Sequence, residues 1–199
     1  KKLAAELHDK KLFKMPLPNE DCPICMLPLP SLYTGRKYRA CCGKRICSGC
    51  IHAVEKRDGV GLCPFCRTPA PTTEEDLIIQ TKKRVEIGDA EAIRSLACFY
   101  RDGTLGLPQD NDKVFELFVR AGELGCAGAC NNVGYAYENG KGVERDAKKA
   151  RHYFKLAAMR GGVTARNNLG HLEKIAGNMN RALKHFTIAA GLDTTILSR

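Results

Sequence analysis

The sequence predicts two architectures in one chain, a small cross-linked α+β module followed by an all-α solenoid of helix-turn-helix repeats. Two observations predict this. Eight of the eleven cysteines fall between Cys22 and Cys66, and six of those eight form Cys-x-x-Cys pairs. From Ala90 onward the chain repeats itself three times, with a period of about 36 residues and apolar positions at helical spacing.

Composition bounds the rest. A chain of 199 residues holds one or two domains and can bury a core. It has no tryptophan, no apolar run long enough to span a bilayer, and no secretory or transit pattern. An intracellular setting, cytoplasmic or nuclear, is therefore expected. The first residue is Lys1 rather than Met, which leaves room for an upstream segment. Net charge is +10, with +7 of it in residues 1–71 (13 Lys/Arg against 6 Asp/Glu). The excess is thin, and no basic helix is studded with aromatic residues. A solvated, mildly basic surface is favoured over nucleic-acid binding.

Taken in order, residues 1–18 form a tail or a short amphipathic helix. Leu3, Leu7 and Leu12 or Phe13 stand near helical spacing, and Met15-Pro-Leu-Pro18 stops the run. No function is assigned to this segment.

Residues 19–71 hold Cys22-Pro-Ile-Cys25, Cys41-Cys42, Cys47-Ser-Gly-Cys50 and Cys63-Pro-Phe-Cys66. A tight turn between two cysteines lets both sulfurs reach one tetrahedral zinc ion, and eight sulfurs make two closed sites with no open catalytic position. Disulfides are the alternative, but they suit secreted chains, and zinc is favoured here. Pro28, Pro30, Ser31 and Gly35 imply loop and short strand. Tyr38 to Ile46 is expected to form a hairpin around the Cys-Cys-Gly turn. Ser48 to Arg57 reads as a helix ended by Asp58-Gly59.

The order pair, two single ligands, pair, pair resembles the RING finger, whose cross-brace interleaves two zinc sites. By that resemblance Cys22, Cys25, Cys47 and Cys50 hold the first zinc, and Cys41, Cys42, Cys63 and Cys66 the second. The common RING places a His just before its third pair, whereas this chain has Gly43-Lys44-Arg45-Ile46. The module is thus similar to the all-cysteine RINGs. Adjacent ligands on one metal are sterically demanding, so His52 stays open as a substitute for Cys41. The resemblance also implies a groove for a ubiquitin-conjugating enzyme made by Ile24, Val54 and Pro64. A cover for the zinc knuckles is the other reading of Ile24 and Val54. It implies that Arg67 is the catalytic residue: a cation that positions the conjugated ubiquitin, with no nucleophile of its own. A solvated Arg at the end of the knuckle is the plain alternative. Cys98, Cys126 and Cys130 lie in the helical region with no base beside them, so packing is their expected role.

Residues 72–87 form a connecting helix, with Thr72 and Glu75 as a capping box. Residues 88–191 carry the repeats, divided at about 88–125, 126–161 and 162–191. The first helices align Ala92, Leu96, Ala97 and Tyr100 with Ala129, Val133, Gly134 and Tyr137, then with Ala165, Leu169, Gly170 and Glu173. The second helices align Val114 and Phe118 with Ala150 and Phe154, then with Ala182 and Phe186. Gly103 and Gly140 are expected as left-handed caps, Asp110 and Asp146 as helix starts. Asn131-Asn132 and Asn167-Asn168 recur, to bind a neighbouring helix or a ligand backbone. The third copy shortens its loop to Ala176-Gly177-Asn178-Met179-Asn180, and residues 192–199 form a tail.

The Leu/Val-Gly-x-x-Tyr, Gly-Lys-Gly-Val-x-x-Asp and Ala-Ala-x-x-Gly elements resemble Sel-one-like repeats, which are related to tetratricopeptide repeats and bind proteins. Together the two resemblances imply a RING-type ubiquitin ligase. It would use two zinc ions, a conjugating enzyme carrying ubiquitin, and a protein substrate or adaptor on the repeats. The alternative is a non-enzymatic zinc-binding scaffold.

Overall fold

The computed structural model describes residues 2–14, 20–30, 35–58 and 61–191. In chain order these form helix α1 (Lys2–Leu12), strands β1 (Arg36–Arg39) and β2 (Lys44–Cys47), α2 (Ser48–Asp58) and α3 (Glu74–Glu86). Three helix pairs follow: α4 (Ala90–Asp102) with α5 (Asn111–Glu123), α6 (Ala127–Asn139) with α7 (Ala147–Met159), and α8 (Val163–Ile175) with α9 (Met179–Ala189). Two compact units result, Pro18–Leu124 and Lys1–Leu17 with Gly125–Arg199. The division groups the first helix pair with the cysteine module, and α1 with the later pairs. The expected stop at Met15–Pro18, Ser31, Gly59 and the tail 192–199 lie outside the described residues.

In the unit Pro18–Leu124, β1 and β2 form an antiparallel hairpin, with Arg36 opposite Cys47 and Arg39 opposite Lys44. Its turn contains Gly43 at φ +72°, where a side chain would also collide with the Arg84 guanidinium. Arg84 donates to Asp89 at 2.7 Å, and Asp89 caps α4 by accepting from the Glu91 and Ala92 amides. The Tyr38 phenol lies against this pair, and burial together with Asp89 pushes its pKa up. Arg45, from β2, donates to Glu91 at 2.9 Å, and Arg94 donates to the other Glu91 oxygen at 2.7 Å. Burial alone would neutralise Glu91; the two guanidiniums hold its pKa below the ordinary value.

The start of α3 corrects the expected capping box. Thr73, not Thr72, is the cap, accepting from the Asp76 amide at 3.1 Å, while the Thr72 hydroxyl donates to the Asp76 carboxylate. Asp76 supplies the reciprocal bond one residue beyond Glu75, and this moves the box by one position.

In the repeats, Gly103 and Gly140 take left-handed φ of 62° and 68°, and the Asp110 and Asp146 side chains accept from the first-turn amides of α5 and α7. Small residues let paired helices close on one aromatic ring. A Cβ at Gly134 would sit 2.7 Å from the Phe154 ring, and one at Gly170 would sit 2.6 Å from Phe186. Fully burying a phenylalanine contributes roughly 1.5–3 kcal/mol, which Phe154 realises and the half-buried Phe186 realises in part. Asn168 donates to the Asn131 side chain at 3.0 Å, which commits both amides to a neighbouring helix.

Helix α1 packs on the later repeats through its C-terminal end. Leu12 is fully buried beside Phe154, Ala158 and Leu169, while Leu7 is exposed; the apolar contact therefore runs through Leu12 and Phe13. Arg166 of α8, itself buried, donates to the Leu12 and Lys14 carbonyls at 2.7 and 3.1 Å. Arg181 of α9 holds Asp9 with two bonds of 2.6 and 3.2 Å, and the Phe13 ring lies 4.8 Å from that of His185.

His185 is fully buried, and neither ring nitrogen has a hydrogen-bond partner among the described residues. Burial, and then Arg166, Arg181 and Lys155, carry its pKa down to about 4 against the pull of Glu173. The unfolded chain therefore takes up this proton first, near the ordinary value of 6.5. Stability is full above that value and declines as pH falls toward 4.

Two outcomes are expected. Between pH 7 and pH 5 the His185 contribution falls by about 2 kcal/mol, and His185→Phe removes that difference in urea unfolding curves. Arg45→Met, which strips one partner from the buried Glu91, lowers unfolding stability by about 1.5–3 kcal/mol at neutral pH.

Candidate metal centre

The cysteine module has a small apolar core, Leu29, Ile46 and Ile51 beside the buried Cys22 and Cys63. Two frames of the same form, Cys-Pro-x-Cys-x-x-Pro, build its knuckles: Cys22–Pro28 and Cys63–Pro69. In the first, the Cys22 amide donates to the Leu27 carbonyl and the Met26 amide to the Cys22 carbonyl, at 2.8 and 2.9 Å. In the second, Cys63 and Thr68, then Arg67 and Cys63, repeat these bonds at the same two distances. Each frame closes with a bridge, Asp21 to Pro28 and Leu62 to Pro69. Each also forces the residue after its second cysteine into the left-handed region, Met26 at φ 58° and Arg67 at φ 62°. That conformation costs a non-glycine residue roughly 1–2 kcal/mol. The repeated seven-residue frame was the available signal for it.

The hairpin and the start of α2 supply the remaining sulfurs. Two groups form: Cys22, Cys25, Cys47 and Cys50, and Cys41, Cys42, Cys63 and Cys66, each with its four sulfurs within 4.8 Å of one another. All eight are free thiols. A tetrahedral ion with metal–sulfur bonds of about 2.3 Å sets its ligands about 3.8 Å apart. The Cys25–Cys47 and Cys42–Cys63 pairs stand at 3.8 Å and Cys41–Cys66 at 3.5 Å, so both groups fit such an ion. Cys41 is inside the second group, and His52, on the exposed side of α2, is not.

Without a cation, four crowded sulfurs cannot all ionise. Desolvation opposes the Cys22 and Cys66 thiolates, yet amide donors around Cys22, and the Thr68 hydroxyl and amide at Cys66, bring each down to about 6. Desolvation and the sulfurs beside them push Cys42 up to about 11 and Cys50 up to about 12, and Cys41 is raised further still. A divalent cation reverses that balance by its own charge.

Around the knuckles, Ile24 is exposed and Val54 and Pro64 are half-buried. Met26, Leu27 and Phe65 are also exposed apolar side chains on the two frames, and sequence reasoning did not single them out. Arg67 is exposed. Cys98 and Cys130, in the helices, are not poised as nucleophiles. Burial raises both Cys98 and Cys130 against the pull of Arg94 and Arg160 respectively. Among the described residues, no helix is long and apolar enough to cross a membrane.

Comparison with known proteins bears on the helical region first. The Sel1 repeat family matches residues 90–126, 127–162 and 165–193, which together make up half of the chain. This chain is a Sel1-repeat protein. Its cysteine module lies outside those matched residues. Two Sel1-repeat structures share the fold, each at 24% identity with a TM-score of 0.55. One is the Sel1 repeat protein from Oxalobacter formigenes, covering 69% of this chain and 54% of that one. The other is c5321, a protective antigen of uropathogenic Escherichia coli, covering 71% and 29%. Curated relatives include the ERAD-associated E3 ubiquitin-protein ligase component HRD3B of Arabidopsis thaliana, 32% identical over 57% of this Sel1-repeat chain and 18% of that protein. They also include the E3 ubiquitin-protein ligase DA2 of Arabidopsis thaliana, 42% identical over 48% of this chain and 23% of its own length. GW2 of Oryza sativa, also named an E3 ubiquitin-protein ligase, is 31% identical over 48% and 22%. The chain spans about a fifth of the length of these relatives.

Titration of the reduced protein with cobalt(II) is expected to saturate at two ions with thiolate-to-metal absorption. Cys41→Ser should lose one tight equivalent, and His52→Ala should keep both.

Proposed function

We propose that this Sel1-repeat protein is a zinc-dependent ubiquitin ligase of the RING type. In this reading residues 19–71 recruit a ubiquitin-conjugating enzyme. Residues 72–87 connect, and the repeats of 88–191 hold a protein substrate or its adaptor. The carrying observation is the interleaving of the two sulfur groups, in which the first and second Cys-x-x-Cys pairs share one group and the adjacent cysteines, which lie between them in the chain, share the other with the last pair. Relatives named as E3 ubiquitin-protein ligases support the same reading.

Zinc fits both groups and supplies folding energy there, on the order of 10–16 kcal/mol for a structural site. The chemistry of transfer belongs to the conjugating enzyme. A substrate lysine attacks the thioester carbonyl, an isopeptide bond forms, and the enzyme's thiol leaves. The ligase contributes orientation. Ile24, Val54 and Pro64 form the contact surface for the conjugating enzyme, with Ile24 the most accessible of the three. Arg67 bridges that enzyme and its ubiquitin, because one guanidinium can donate to two partners. The hydrogen bond that the Arg67 amide donates to the Cys63 carbonyl fixes where the side chain leaves the knuckle.

A single-turnover discharge assay tests this. Ubiquitin-loaded conjugating enzymes are offered free lysine with wild type, Arg67→Ala or Ile24→Ala at equal zinc content. Accelerated discharge is expected with wild type, and a loss of about tenfold or more with either substitution, equivalent to at least ~1.4 kcal/mol of transition-state stabilisation. A folded two-zinc protein that accelerates none of the enzymes would be a non-enzymatic scaffold.

A further inference from the structure

The third repeat departs from its sisters at four aligned positions; three of them contact α1 or the residue after it, and the fourth, Glu173, pairs with one of the three. Arg166 stands where the first two repeats have the fully buried Ile93 and Cys130. Glu173, 3% exposed, replaces Tyr100 and Tyr137. Arg181 replaces Lys113 and Lys149, which lie over those tyrosine rings at 4.4 and 5.2 Å. His185 replaces Leu117 and Tyr153. An ordinary repeat buries apolar groups at the first of these positions; here a guanidinium, a carboxylate and an imidazole are buried instead. Ionisable groups are costly inside a helix pair, so packing of the pair does not account for them.

The segment Asp9-Lys-Lys-Leu12-Phe13 does account for them. The Asp9 carboxylate takes two bonds from Arg181. Leu12 fills the apolar centre, and Phe13 lies between the His185 ring and the Arg181 guanidinium, 5.0 Å from the latter. Arg166 donates to two carbonyls at the end of the helix, where unpaired acceptors and the negative end of the helix dipole favour a cation. Glu173 steadies Arg181 at 3.7 Å and is itself held by Arg151 and Asn178. The fit is incomplete. Among the described residues the Arg166 Nε and both His185 nitrogens are buried without a partner, so α1 leaves hydrogen-bonding capacity in the slot unused. Meanwhile α1 has only 11 residues, too short to hold a helix alone, and Leu7 on it is exposed.

We propose that the third repeat is a peptide receptor for the last turn of a helix bearing Asp-x-x-Leu-Phe, and that α1 is a cis ligand displaced by a partner helix of the same chemistry. The partner presents an acidic residue, then Leu and an aromatic ring at the next helical contact, with open carbonyls at its end. The proposal rests on the repeats being a protein-binding surface and is independent of ubiquitin transfer. Tethering gives α1 an effective concentration of about millimolar order, against which a partner helix has to compete.

The test uses the full chain and a fluorescent peptide of residues 2–14. Opening the slot with Asp9→Asn and Leu12→Gln together is expected to raise peptide affinity at least tenfold over wild type. Adding Arg166→Gln or Arg181→Gln to the opened protein should remove that gain. An opened protein that keeps its helical circular dichroism and binds no peptide would overturn the proposal. If opening unfolds the chain, hydrogen exchange in wild type decides. Excess peptide that speeds exchange of the α1 amides, with the repeat helices unchanged, supports displacement; unchanged exchange overturns it. Binding is read without a conjugating enzyme, so a negative discharge assay and a negative peptide titration point to different failures.

Discussion

A module whose apolar core amounts to Leu29, Ile46 and Ile51 cannot hold itself together by burial. The constraint that shapes it is the approach of four sulfurs to a common centre, made twice. Everything local serves that approach: two copies of a proline-bounded frame, a hairpin turn that needs a glycine, and two residues held in left-handed backbone. The unused thiol acidity in each group is the electrostatic counterpart of the same design. A cation of the right size satisfies both demands at once.

Burial and electrostatics divide the labour differently in the repeats. Small residues and one phenylalanine per pair fasten α6 to α7 and α8 to α9, and helix caps set where each element begins. Against this apolar background the charged groups of the third repeat are conspicuous. Glu91 in the first repeat belongs with them, since it is a buried carboxylate where the sister repeats have the half-buried Gly128 and the exposed Thr164. In both places the charges serve a contact beyond the helix pair itself, with the cysteine hairpin in one case and with α1 in the other.

Much of this could be read from residue patterns. Eight thiols in pairs, and aligned Ala, Gly, Phe and Asp positions in three copies, report local geometry, and local geometry is what spacing encodes. The Gly103 and Gly140 caps and the Asp110 and Asp146 starts follow directly. The cap at Thr73 instead of Thr72 shows the limit of spacing, because either threonine satisfies the pattern and only the position of Asp76 decides. The docking of α1 was illegible for another reason. Arg166 binds main-chain carbonyls, which carry no sequence signature, and Leu12 contributes more to burial than the equally apolar Leu7. Its charged neighbours could have been noticed, however, since Glu173 interrupts a column of tyrosines.

The pairing of Arg45 with Glu91 has a consequence for how such proteins can be assembled from parts. The cysteine module and the first repeat look like separable cassettes, yet the hairpin of one neutralises a carboxylate buried in the other. A recombination event that joined these repeats to a different leading domain would take the Arg45 guanidinium away from that acid. Exchange of parts at this junction is therefore penalised unless position 91 changes along with it.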